Sequence, residues 1–231
     1  MISNFILEGL ALLVALYNLK HIRQTRYFYF IPLLAFTLLG ELGAANFARN
    51  YVNFTTGNIH IYLWISVFHL IFFGYQFFNI FRSRKWKLIT ATGITLAVST
   101  LLYWFCFFPV YTQLYLNTDV TGGFFLCCLS CVYIYQEFIL SDDHEINLFH
   151  VPDFWMVMGI LLYHTGVSIV FSLHYFLKVS PTYIWGIKIY HLFPRIASFF
   201  LYGSIMTALF LWKKNKNARS TSRSIQQDRT T

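Results

Sequence analysis

Seven apolar runs of roughly 17 to 28 residues, separated by short polar or basic joints, dominate the chain. They cover about 3–19, 27–47, 59–81, 88–108, 120–140, 154–177 and 185–212. Polar residues recur inside them at helical spacing. The last run carries Lys188, His191, Arg195, Ser198 and Tyr202 as one stripe. Run one carries Asn4, Glu8 and Asn18. Run two has Thr37, Glu41 and Asn46 among Gly40, Gly43, Ala44 and Ala45, small residues that let helices approach closely. Run three aligns Ser66, His69, Gln76 and Asn79, and run six spaces His164, Ser168 and Ser172 one turn apart.

The pattern predicts an all-α integral membrane protein, a seven-helix bundle over 1–212 with a disordered basic cytoplasmic tail over 213–231. Composition agrees: 57% of the 231 residues are hydrophobic, 21% aromatic and only 11% charged, which excludes a soluble globular domain. The first run lacks a basic leader and a small-residue cleavage site, so it reads as a retained span.

Lysine and arginine set the orientation, because they are retained on the cytoplasmic side. Joint one has Lys20, Arg23 and Arg26; joint three has Arg82, Arg84, Lys85 and Lys87; the tail has Lys213, Lys214, Lys216, Arg219, Arg223 and Arg229. The other side receives Arg49, Lys178 and Lys188. The N-terminus is therefore expected outside and the C-terminus in the cytoplasm. The formal charge of +8 then serves topology and contact with anionic headgroups, and nucleic acid is not an expected partner. The fifth joint, SDDHEINLFHVPD, has no Lys or Arg and is neutral on this point.

Charge at membrane depth is costly and marks function by default. The candidate ligand-binding residues are Glu8, Glu41, His69, His164, His191 and Arg195. At ~1.5 Å rise per residue, Glu8, Glu41, His191 and Arg195 fall in the outer half, and His69 and His164 near the middle. Glu41 and Arg195 reach similar depth from opposite directions and are the expected ion pair, with Pro194 kinking the helix beside it. The bland alternative is that these groups only hydrogen-bond helices together.

Other motifs add little. Cys106, Cys127, Cys128 and Cys131 sit among apolar neighbours and read as small packing residues rather than metal ligands. Asn53-Phe54-Thr55 fits a glycosylation sequon, a tripeptide common by chance. No catalytic residue, metal site or cofactor is called.

Three segments, LLGELGAANFARN (38–50), NIHIYLWISVFHLIFFGYQFFNIFRSRKWK (58–87) and PDFWMVMGILLYHTG (152–166), resemble a family of small multi-helix membrane proteins common in Bacteroidota. The matching positions are Glu41, Asn58, Pro152, Phe154, Trp155 and Gly166. Some members resemble membrane input regions found before, or encoded beside, histidine kinase modules. The resemblance implies a bacterial inner-membrane protein, and with no kinase module after Trp212 it implies signalling through a separately encoded partner.

The resulting expectation is a seven-helix sensor or receptor-like protein whose polar pocket, in the outer half, binds a small ligand or a proton. One alternative is a transporter or channel with a path between spans three, six and seven. Another is an intramembrane zinc hydrolase, although Arg195 stands where a second His would complete a His-x-x-x-His pair with His191.

Overall fold

The computed structural model describes residues 2–50, 55–107, 112–138, 148–173, 183–184 and 187–228, and within these the side chains of 2–4, 47–50, 55–60, 105, 112–119, 138, 187, 190–191 and 216–228 are outside the description. Among the described residues the protein is all-α apart from a hairpin of two two-residue strands, Tyr183–Ile184 and Ile187–Lys188. Seven long helices stand among the described residues: α1 (Ile2–Tyr17), α2 (Phe30–Asn50), α3 (Thr55–Ile80), α4 (Arg84–Phe107), α5 (Thr112–Phe138), α6 (Pro152–Ser172) and α7 (Ile189–Asp228). Each packs against the next, and α7 returns to pack against α1, so the helices form a closed ring. Six of them are long and apolar enough to cross a membrane, which makes this a multi-pass membrane protein. The exception is α1, whose apolar part is shorter.

Local sequence explains the helix limits. Pro152 occupies the first turn of α6, where its missing N–H costs nothing, and Val151 before it is extended as a pre-proline residue should be. At the end of α1, the Asn18 side chain bonds the Val14 carbonyl at 2.8 Å, which also accepts the Asn18 backbone N–H at 3.1 Å. Lys188 lies outside the helix that the stripe in run seven required: it pairs with Tyr183 in the hairpin and is exposed. At its other end α7 runs on to Asp228, where a disordered tail from 213 was expected. That stretch contains neither Gly nor Pro, and its Lys, Arg, Ala and Gln are strong helix formers.

The ring is asymmetric. In the spanning part of α3 56% of residues are buried, against 17% in α4, so α3 occupies the interior and α4 shows most of its surface to lipid. α3 also touches α5 across the short side of α4. Small residues set the approach of α6 to α7. A Cβ on Gly159 would lie 2.6 Å from the Ser204 Cβ, and one on Gly166 would lie 3.3 Å from the Ala197 Cβ, so α6 and α7 meet along a glycine seam.

One end of the bundle collects the basic joints. There Lys213 of α7 sits 4.3 Å over the Tyr17 ring at the end of α1. The Asn215 amide of α7 bonds the His150 carbonyl just before α6 at 3.1 Å. The start of α2 meets the start of α6 through Arg26 and Asp153. The connection before α6, on which the charge rule was silent, therefore ends at the same face as the basic joints.

Candidate functional site in the helix bundle

Two polar clusters occupy the middle of the ring, joined by α2. The first is built on Glu8. Its side chain is fully buried among α1, α2 and α7, and its Oε1 accepts a hydrogen bond of 3.0 Å from the Tyr202 hydroxyl. The Glu41 carboxyl lies beside it, near enough for the two acids to interact. The two carboxyl groups lie within hydrogen-bonding reach of each other, and with both ionised Glu8 Oε2 is buried without a donor. Tyr163 of α6 is the next polar neighbour of Tyr202.

The second cluster lies one turn along α2, where Thr37 shares the Glu41 face. The Thr37 hydroxyl donates to the Leu33 carbonyl at 3.0 Å and stands 3.0 Å from His69 Nε2 on α3. A hydroxyl has one proton, so with that proton given to the carbonyl the imidazole donates from Nε2. His164 of α6 faces His69, and the Phe73 ring lies against both, 5.6 Å from one and 6.0 Å from the other. His164 Nε2 is the second buried polar atom at this level without a partner. Its other nitrogen lies over Gly123 of α5, where an added Cβ would come within 2.9 Å of Nδ1. Glycine at 123 is what lets the imidazole approach that helix.

Buried polar groups are normally satisfied, because an unmade hydrogen bond costs about 1–3 kcal/mol. Among the described residues five side-chain atoms break that rule: Glu8 Oε2 and His164 Nε2 in the two core clusters, and Asn18 Oδ1, Gln76 Oε1 and Trp212 Nε1 elsewhere. An acid pair with a phenol, and an imidazole pair with a hydroxyl, can hold a proton, donate to a polar ligand or accept from one.

The six candidates fare differently. Glu8 and Glu41 are brought together, as are His69 and His164. The His191 side chain lies outside the described residues. Arg195 is half-buried and does not pair with Glu41: among the described residues the sole ion pair is Arg26–Asp153. Helical rotation explains the correction. The buried face of α7 runs through Ala197, Ser198, Leu201, Tyr202 and Ile205, and Arg195 stands at its margin.

The Arg26–Asp153 cluster at the basic end is a group that sequence reasoning missed. Asp153, in the first turn of α6, accepts from both the Arg26 guanidinium and the Tyr27 hydroxyl. The Gln76 amide of α3 bonds the Arg26 carbonyl at 3.3 Å, and the Trp212 ring of α7 lies 4.8 Å from that of Tyr27. In the sequence Arg26 reads as a topology residue and Asp153 as part of a joint that carries no orientation signal. The available clue was that both sit at the start of a span on the same side.

Cys127 is buried, its sulfur 3.4 Å from the Thr165 hydroxyl, while Cys106, Cys128 and Cys131 are exposed. Among the described residues no three His, Cys, Asp or Glu side chains are grouped to hold a metal ion. The sequon at 53–55 falls largely outside the description. No family model, curated protein or solved structure matches the chain.

Proposed function

We propose that this chain is a seven-helix membrane sensor of the receptor-like kind, with its N-terminus outside, its C-terminus in the cytoplasm and a polar core that binds a small polar ligand or a proton. The observation that carries this reading is that Glu8 Oε2 and His164 Nε2, two of the five buried side-chain atoms without a partner among the described residues, lie in the two core clusters of a closed ring of helices. A protein that used these groups only to tie helices together would gain from satisfying them. Leaving them open costs stability and is consistent with a site that waits for an occupant.

The seventh span is α1. Its 16 residues extend ~24 Å, short of the ~30 Å hydrocarbon core, and the helical turn Leu19–Ile22 adds to it. Its place between α2 and α7 in the ring supports a spanning role. The cytoplasmic assignment of the basic end rests on the positive-inside rule, and in a bacterium this is the inner membrane. Signal output falls to that end, where the Arg26–Asp153 cluster joins α2, α6 and α7, through a separately encoded partner.

A sensor populates two helix arrangements whose balance depends on its core. Spin labels at positions 82 and 214, both exposed at the basic end, report the separation of α3 and α7 in lipid nanodiscs. The expected result is a two-component distance distribution whose proportions change in Glu8→Gln. A single unchanged distribution in both proteins would reduce the core to structural glue and remove the sensor reading.

A further inference from the structure

We propose that Glu8 and Glu41 form a proton-binding site, holding one exchangeable proton between their carboxyl groups with the Tyr202 hydroxyl as the third member. The inference deepens the sensor reading, on which its physiological meaning rests, by naming the occupant of the acid cluster.

The argument starts from charge. Two carboxylates side by side in a low-dielectric interior repel, and each needs its own compensation, by a positive charge or by a proton. No lysine or arginine supplies it at this site: among the described residues neither acid forms an ion pair, and Arg195 stands apart. The groups facing Glu8 are Glu41 from α2 and Tyr202 from α7, with Tyr163 of α6 behind the phenol; the positive charge of the chain's amino group acts on Glu41, and no cation acts on Glu8 among the described residues. Tyr202 already gives its one proton to Glu8 Oε1, so it cannot satisfy Oε2 as well. What the free oxygen lacks is a donor.

The number of oxygens selects the occupant. A dehydrated divalent cation takes about six oxygen ligands, whereas the site supplies two carboxyl groups and one hydroxyl. A proton needs only two oxygens. It bonds to one carboxyl oxygen and bridges to the other acid, and on release it passes to water as hydronium, leaving two negative charges. Because Glu8, Glu41 and Tyr202 stand on α1, α2 and α7, that repulsion acts across two helix interfaces at once. Proton release would loosen α1 from α2, and uptake would close them.

The test is infrared difference spectroscopy of the full chain in lipid nanodiscs, titrated from acid to alkaline pH and read at the carbonyl stretch of protonated carboxyl groups. The expected result is a band present at neutral pH that disappears in alkali. In Tyr202→Phe the band moves in frequency, because the phenol bond to Glu8 is gone. In Glu8→Gln and in Glu41→Gln its titration shifts to lower pH, because the neighbouring like charge is gone. Absence of a protonated carboxyl band at neutral pH in the unmodified protein would overturn the proposal, and that result needs no variant to fold. A melting temperature that responds to Na⁺ rather than to pH, without the band, would assign the site to a metal cation and equally overturn it. A band with all these properties in a protein whose spin-label distances never change would leave the proton site standing and remove the sensor.

Discussion

Asp153 at the start of α6 is the residue whose replacement should expose the mechanics of the basic end most directly. Its carboxylate receives the Arg26 guanidinium and the Tyr27 hydroxyl. Arg26 and Asp153 side chains are each 21% exposed, and Tyr27 is fully buried. A surface ion pair contributes about 0.2–1 kcal/mol, whereas stranding one partner of a buried pair costs about 3–5 kcal/mol. One-fifth exposure lies nearer the second case. Asp153→Asn keeps an acceptor for Tyr27 but leaves the guanidinium without its counter-charge, so the expected loss is about 2–3 kcal/mol. Arg26→Gln should cost less, about 1–2 kcal/mol, because Asp153 keeps Tyr27 and the field of the α6 N-terminus. The double variant should lose only about 2 kcal/mol, giving a coupling of about 2 kcal/mol. Unfolding in mixed micelles, followed by tryptophan fluorescence, measures all three; Trp212 against Tyr27 provides a local reporter. Losses that add to within about 0.5 kcal/mol would show that the contact carries no energy and that α2 and α6 are held together elsewhere.

Three further outcomes are expected. Gly159→Ala drives a Cβ to 2.6 Å from Ser204 and should cost about 1–3 kcal/mol in the same unfolding assay; a neutral result would mean that α6 and α7 slide apart freely. Arg195→Gln and Glu41→Gln should be additive, since these residues do not pair, and a coupling above about 1 kcal/mol would restore the ion pair that the geometry denies. Reporter fusions after residues 84 and 216 should both read cytoplasm, and an external signal from either would reverse the orientation and the depth of every core residue.

The sequence alone determined the solvent and the element type. Apolar runs of membrane length leave the backbone no option but helix, because unpaired N–H and C=O groups are too costly in lipid. Runs two to seven reappear as α2–α7, most ends moved by a few residues, with α5 starting eight residues earlier and α7 running on past 212 to Asp228. Helical spacing also placed Glu8, Thr37, His69, His164, Ser198 and Tyr202 on faces that prove buried. Periodicity gives a side chain an angle around its own helix, and it carries no record of which neighbour that angle meets. Glu41 was therefore matched to Arg195 by depth and opposite charge, whereas ring order puts it against Glu8, an acid that no rule of charge complementarity would select. The Arg26–Tyr27–Asp153 cluster had the same origin, being assembled by contact between chain segments more than 120 residues apart. Partner choice among helices is decided by small-residue seams such as Gly159–Ser204 and by closure of the ring, and those are properties of the packed bundle.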